Sequence, residues 1–172
     1  MKYKLIAAVS KNGGIGKDGQ LPWKIKEDLK YFSKTTRGNG YNAVIMGRKT
    51  WESFNGKHLP LRDNLILSST LKIDTEASNH IVKSFATMDD IDSYVAKRKY
   101  DEVWVIGGSQ VYKEYINQNK VDICHLTLID QEFDSDAFFP PLPESWNVVE
   151  TKALETANEF DVSIQKFENT DI

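Results

Sequence analysis

Five short runs rich in Val, Ile and Leu recur along the chain: Lys4 to Val9, Asn42 to Met46, Asn64 to Leu67, Glu102 to Ile106 and Val121 to Leu128. Each is continuously apolar rather than alternating, the pattern of a strand buried on both faces. The segments between them repeat differently. Ile25, Leu29 and Phe32 recur at i, i+4 and i+7, while Ile91, Tyr94 and Val95 recur at i, i+3 and i+4 behind a capping residue at Thr87. Strand and helix alternate, which predicts an α/β fold whose mainly parallel sheet is covered by helices on both faces. The last third changes character. Trp146 to Glu155 and Phe160 to Phe167 are extended candidates joined through Thr156-Ala157-Asn158-Glu159, too short for a helical crossover, so they predict a closing antiparallel hairpin. The expectation is a single domain over residues 1–172, with a central twisted sheet of about eight strands flanked by about four helices. The proline-bearing stretch Asp134 to Ser145 is expected to be a surface connection, and Leu71 to Ile81 carries no assignment.

Composition narrows the classes. Hydrophobic residues at 40% and charged residues at 27% fit a folded domain and argue against disorder. A net charge of −3 without a basic run gathers no polyanion, so nucleic acid is not an expected partner. The single cysteine, Cys124, excludes an intrachain disulfide and a cysteine-ligated zinc, and fits a reducing cytoplasm. His58, His80 and His125 lie far apart, so no metal is implied. The N-terminal apolar segment Leu5 to Val9 falls short of the roughly 7 to 15 residues of a signal core, and no run approaches the roughly 20 of a membrane span. A cytoplasmic protein with no membrane contact is expected.

Four stretches carry candidate chemistry. The segment Gly13-Gly14-Ile15-Gly16-Lys17-Asp18-Gly19-Gln20-Leu21-Pro22-Trp23 follows the first strand and holds four glycines in seven positions, which predicts mobility. It is either a loop closing over a flat ligand or an ordinary surface loop with Trp23 packed inward. Asp28 falls on the apolar face of the first helix, so it either meets a partner or ligand in a hydrophobic wall or is a solvated first-turn carboxylate favoured by the dipole. Gly47-Arg48-Lys49-Thr50 ends a buried strand and opens a helix with two cations, which oppose the dipole unless a phosphate sits among them; the alternative is that both are solvated. Ile106-Gly107-Gly108-Ser109-Gln110-Val111-Tyr112 repeats the strand, glycine, helix order without spelling GxGxxG. Two such turns together suit a dinucleotide, and Ser68, Ser69 and Thr70 stand at a further strand end.

Taken together these residues resemble the dihydrofolate reductase family over essentially the whole chain. The resemblance rests on Ile15-Gly16 to Leu21-Pro22-Trp23, Asp28-Leu29 with Phe32, Val44 to Ser53, Leu59-Pro60 with Arg62 and Asn64, Ile106-Gly107-Gly108 with Val111-Tyr112, and Phe139-Pro140. It implies NADPH-dependent reduction of 7,8-dihydrofolate to tetrahydrofolate, inhibition by antifolates, and a monomer. It further implies that Asp28 holds the pterin, that Thr127 hydrogen-bonds this carboxylate, and that Trp23, Leu21 and Tyr112 complete the catalytic group. Ile6, Ala8, Leu29, Phe32, Phe54 and Ile106 are implied to line the pocket, and Arg62 to clamp the glutamate tail. The cofactor is implied to meet Ala8, Ile15, Gly16, Gly47, Arg48, Lys49, Thr50, Ser68, Ser69, Gly107, Gly108, Ser109, Gln110, Val111 and Tyr112, with an adenosine-binding lobe around residues 43–100. Leu61 and Gln110 depart from the pattern. Leu61 stands where a glycine is common, so that turn is expected to be made differently, and Gln110 stands where many bacterial relatives carry an arginine near the 2′-phosphate. A pyrimidine-ribose reductase of riboflavin synthesis and a non-catalytic folate- or nucleotide-binding protein are the rival readings; Trp23, Asp28 and Arg62 disfavour the first. No fusion to thymidylate synthase is expected.

Overall fold

The computed structural model describes residues 2–171. Eleven strands and four helices follow one another as β1 (Tyr3–Ser10), β2 (Gly14–Gly16), α1 (Lys26–Arg37), β3 (Ala43–Gly47), α2 (Arg48–Ser53), β4 (Asp63–Leu67), β5 (Asp74–Ala77), β6 (His80–Phe85), α3 (Met88–Ala96), β7 (Val103–Val105), α4 (Ser109–Asn117), β8 (Val121–Ile129), β9 (Ala137–Phe138), β10 (Trp146–Ala153) and β11 (Val162–Asn169). Nine form one sheet in the order β10-β11-β8-β1-β7-β3-β4-β6-β5. Pairing is parallel from β8 to β6 and antiparallel where β11, β10 and β5 join. The predicted architecture and closing hairpin are present; the sheet has nine strands rather than about eight.

The apolar runs explain the layers. Neighbouring residues on a strand face opposite ways, so Leu5, Ile45, Leu65 and Val105 pack with α3 and α4, while Ile6, Val44, Ile66 and Trp104 pack with Tyr31 and Phe32 of α1 and Trp51 of α2. Burial on both faces is what a continuous apolar strand requires. Thr87 caps α3 by accepting from the Asp90 N–H, as its position before the helical repeat predicts.

Three features escaped the pattern. Strands β5 and β6 occupy part of the stretch that carried no assignment, and β5 is a largely exposed edge strand with Asp74, Thr75 and Glu76. Strands β2 and β9 form a separate antiparallel pair, so the stretch Asp134 to Ser145 is partly ordered against the glycine loop. Leu61 takes a left-handed backbone with φ of +63°, a conformation that glycine reaches freely and a leucine rarely adopts.

Because β1, β3, β4, β6 and β7 all run the same way, their C-terminal ends share one edge of the sheet. Ligand crevices of open α/β sheets form at that edge.

Candidate active site

Asp28 lies in the first turn of α1, is 7% exposed, and accepts a 2.6 Å hydrogen bond on Oδ1 from the Thr127 hydroxyl of β8. The solvated alternative is thereby excluded. Burial pushes the carboxyl above its usual range, and the Thr127 bond partly offsets this by favouring the ionised form. Register explains the meeting: Thr127 pairs with Ala8 of β1, beside the strand that carries Ile6 into the α1 face. Ile6, Phe32, Phe54 and Ile106 share one apolar cluster with Leu59 and Trp104. Ala8 instead packs against the group containing Trp23 and Ile25. Leu29 and Leu21 are 49% and 48% exposed, so they border the site rather than fill the core, and the apolar repeat of α1 is broken at Leu29. The buried Trp23 Nε1 has no hydrogen-bond partner among the described residues.

Arg62 is 2% exposed, yet no carboxylate pairs with it among the described residues. It donates from Nη1 to Thr36 Oγ1 at 2.6 Å and from Nε to the Pro60 carbonyl at 2.7 Å. Burial, and secondarily Arg37, pull its pKa down to about 10, so it stays charged at neutral pH. A buried, uncompensated guanidinium held by two neutral acceptors is a receptor for an anion. Thr36 had no sequence signal, because a threonine late in a helix is ordinarily unremarkable.

At the ends of β3 and β7 the two backbones meet. The Gly47 N–H donates to the Gly107 carbonyl at 2.8 Å, and the Gly107–Gly108 peptide is cis. A Cβ at Gly107 would lie 3.3 Å from the Tyr112 hydroxyl, and one at Gly47 would lie 3.0 Å from Val111 Cγ2. Helices α2 and α4 begin there, so the first N–H groups at Arg48, Lys49 and Thr50 and at Ser109, Gln110 and Val111 have no partner within their own helices. Beside them is a cavity of about 470 Å³ lined by Arg48, Ser68, Ser69, Thr70, Thr87 and Glu114, among others. Arg48, Ser68 and Ser69 line this one cavity, while the Gly47 and Gly107 turns meet each other through their backbone bond. Lys49 is exposed and Gln110 bonds to Glu114, and neither lines the cavity.

The profile of the dihydrofolate reductase family matches residues 2–169. The chain belongs to the dihydrofolate reductase family. It is 43% identical over 148 residues to the dihydrofolate reductase of Rattus norvegicus, covering 80% of this chain and 78% of that protein. The Drosophila melanogaster enzyme is 36% identical over 159 residues, covering 87% and 85%. A solved dihydrofolate reductase from Enterococcus faecalis, complexed with NADP(H) and RAB-propyl, superposes with a TM-score of 0.80 at 32% identity over 99% of this chain and 97% of that one. The protein is therefore an NADPH-dependent oxidoreductase that reduces 7,8-dihydrofolate to 5,6,7,8-tetrahydrofolate and feeds one-carbon metabolism.

Within this dihydrofolate reductase fold the glycine loop is bonded across its own turn and to the segment around β9. Lys17 and Gln20 exchange hydrogen bonds of 2.8 and 3.0 Å around a tight turn in which Asp18 and Gly19 have φ of +50° and +76°. Three further bonds fasten it to the segment around β9: Phe139 N–H to Gly13 O at 3.0 Å, Asp136 N–H to Gly16 O at 2.9 Å, and Asp18 N–H to Asp136 Oδ2 at 3.0 Å. Asp136, which bonds to the loop, and Ser135, which lies against Gly14, had no sequence signal. The Tyr112 hydroxyl, buried and bonded to the Ile6 carbonyl at 2.7 Å, is pushed well above its usual pKa, so it acts as a fixed donor rather than a titrating acid.

Proposed function

We propose that the dihydrofolate pterin is anchored by Asp28, with Thr127 fixing the carboxylate and with Ile6, Leu29, Phe32, Phe54 and Ile106 enclosing the rings. The observation that carries this reading is the buried carboxylate with Oδ1 engaged by Thr127, which leaves its other oxygen to pair with a ligand's amino and ring N–H groups. In that pairing the carboxylate polarises the pterin toward protonation at nitrogen 5. Trp23, whose indole N–H is buried and unpartnered among the described residues, supports a polar contact at the same place, with Leu21 at the end of the tethered loop. Arg62 holds the α-carboxylate of the glutamate tail, a task suited to its lack of an internal counter-ion.

The cofactor fits the residues present. Gly47 and Gly107 let the ends of β3 and β7 close against Val111 and Tyr112, which a side chain at either would crowd, and the cofactor lies at this junction with Gly108, Ala8, Ile15, Gly16, Thr50, Ser109, Gln110, Val111 and Tyr112 around it. Lys49 lies just outside, in the first turn of α2. Residues 43–100 form the adenosine-binding lobe, with Arg48, Ser68 and Ser69 toward the 2′-phosphate. NADPH supplies the hydride delivered to carbon 6 of the pteridine. Dihydrofolate and antifolates compete for one pocket in a cytoplasmic monomer.

The test is NADPH oxidation with dihydrofolate, with and without an antifolate, alongside Asp28→Asn. Antifolate-sensitive turnover that collapses in the variant establishes the anchor. Near-normal turnover in Asp28→Asn removes Asp28 from the mechanism, and tight binding of both ligands without turnover favours the non-catalytic alternative.

A further inference from the structure

NADPH and NADH differ only at the adenosine 2′-phosphate, so discrimination depends on the charges that meet that group. Among residues lining the cavity of Arg48, Ser68 and Ser69, the charged side chains are Arg48 and Glu114, one of each sign. Arg48 is itself engaged: its Nη1 bonds to Glu52 Oε1 at 2.6 Å, one helical turn on. Glu114 is held in turn by Gln110, whose Nε2 donates to Oε1 at 2.9 Å across one turn of α4. The cationic subsite is thus opposed by one acid that occupies its arginine and another that stands in its wall.

We propose that Glu52 and Glu114 are specificity-determining residues that weaken the preference of this chain for NADPH over NADH, an inference that rests on the placement of the 2′-phosphate beside Arg48. A phosphate dianion must displace Glu52 from Arg48 and approach the Glu114 carboxylate, whereas the 2′-hydroxyl of NADH does neither. The Arg48–Glu52 pair is exposed and weak, so the effect is modest and selective. Gln110 belongs to the same arrangement. An arginine at position 110 lies one turn from Glu114 and is spent on it, so charge added there serves the phosphate only when Glu114 is neutralised.

The experiment is a titration of the full-length protein with NADPH and, separately, NADH, read by quenching of tryptophan fluorescence. Glu52→Gln and Glu114→Gln should each tighten NADPH about two- to five-fold with NADH unchanged, the size of an exposed charge interaction. Gln110→Arg should improve NADPH binding more in the Glu114→Gln background than alone. Equal gains for both nucleotides, or no gain in either single variant, overturn the proposal. Arg48→Ala separates the two levels of argument. If it leaves the ratio of NADPH to NADH affinity intact, the phosphate lies elsewhere and both readings fall; if it abolishes the ratio while the acid variants change nothing, only the role of the acids falls.

Discussion

The Arg62 guanidinium donates to the Thr36 hydroxyl at 2.6 Å across the space between the β4 entry and α1, which aims a buried cation without neutralising it. Lysine keeps the charge but loses the planar fork. Arg62→Lys should therefore weaken dihydrofolate affinity by about 2 kcal/mol, roughly 30-fold, while changing the maximal rate much less. Steady-state kinetics at saturating NADPH measure the split; a large fall in maximal rate with unchanged affinity would remove Arg62 from the clamp.

The same burial is a cost to the empty protein. Arg62 has its pKa pulled down, so the charged form is disfavoured by folding. Arg62→Met should raise the melting temperature of the ligand-free protein at neutral pH while abolishing tight folate binding. Calorimetry with and without ligand checks both halves.

Asp28 behaves in the mirrored sense. Its folded pKa lies above the unfolded value, so the native state keeps a proton that the unfolded chain releases, and stability falls as pH rises through that window. Asp28→Asn should accordingly melt at a higher temperature than the parent at pH 7, with the difference fading below the ordinary carboxylate range. Thr127→Val removes the bond that favours ionisation and should move the acid limb of kcat/KM to higher pH.

The glycine loop offers a steric test. A Cβ at Gly14 would overlap the Ser135 hydroxyl and lie 2.6 Å from the Ser135 Cβ. Gly14→Ala should destabilise the loop contact and lower kcat, and Ser135→Gly, which removes both offending atoms, should restore much of it. A double-mutant cycle on kcat measures that coupling; strict additivity would show that the loops do not meet as described.

What was readable in the sequence follows physical lines. The central strands announced themselves because Val44-Ile45-Met46 and Leu65-Ile66 bury both faces, and Thr87 announced its helix because a cap has a local signature. β5 was silent because Asp74, Thr75 and Glu76 are exposed and held to β6 chiefly through the backbone, which leaves no side-chain pattern. The tether of the glycine loop was silent for another reason: Gly16 meets Asp136 far along the chain, and glycine content reports what a backbone is free to do, not what holds it. Of the candidate site residues, Asp28 was marked by its place on the apolar face of α1, Thr127 and Arg62 came through family resemblance, and Thr36, Glu52 and Glu114 needed coordinates, since nothing local distinguishes a surface glutamate beside an arginine from any other.

Cys124 is fully buried on β8, and burial pushes its thiol far above the usual range. A thiol reagent should label it only when the sheet opens, so the labelling rate should slow on addition of an antifolate with NADPH.

Asp28 and Thr127 stand 99 residues apart in sequence, and β1 lies between β7 and β8, both of which come late in the chain. A nascent polypeptide thus carries its carboxylate through most of synthesis with no hydroxyl to receive it, and the centre of the sheet waits open on both sides. With Asp28 as the proposed anchor, folate recognition is expected to follow the docking of β8. Capture of an immobilised antifolate by ribosome-bound chains of increasing length would consequently mark the moment at which the domain closes.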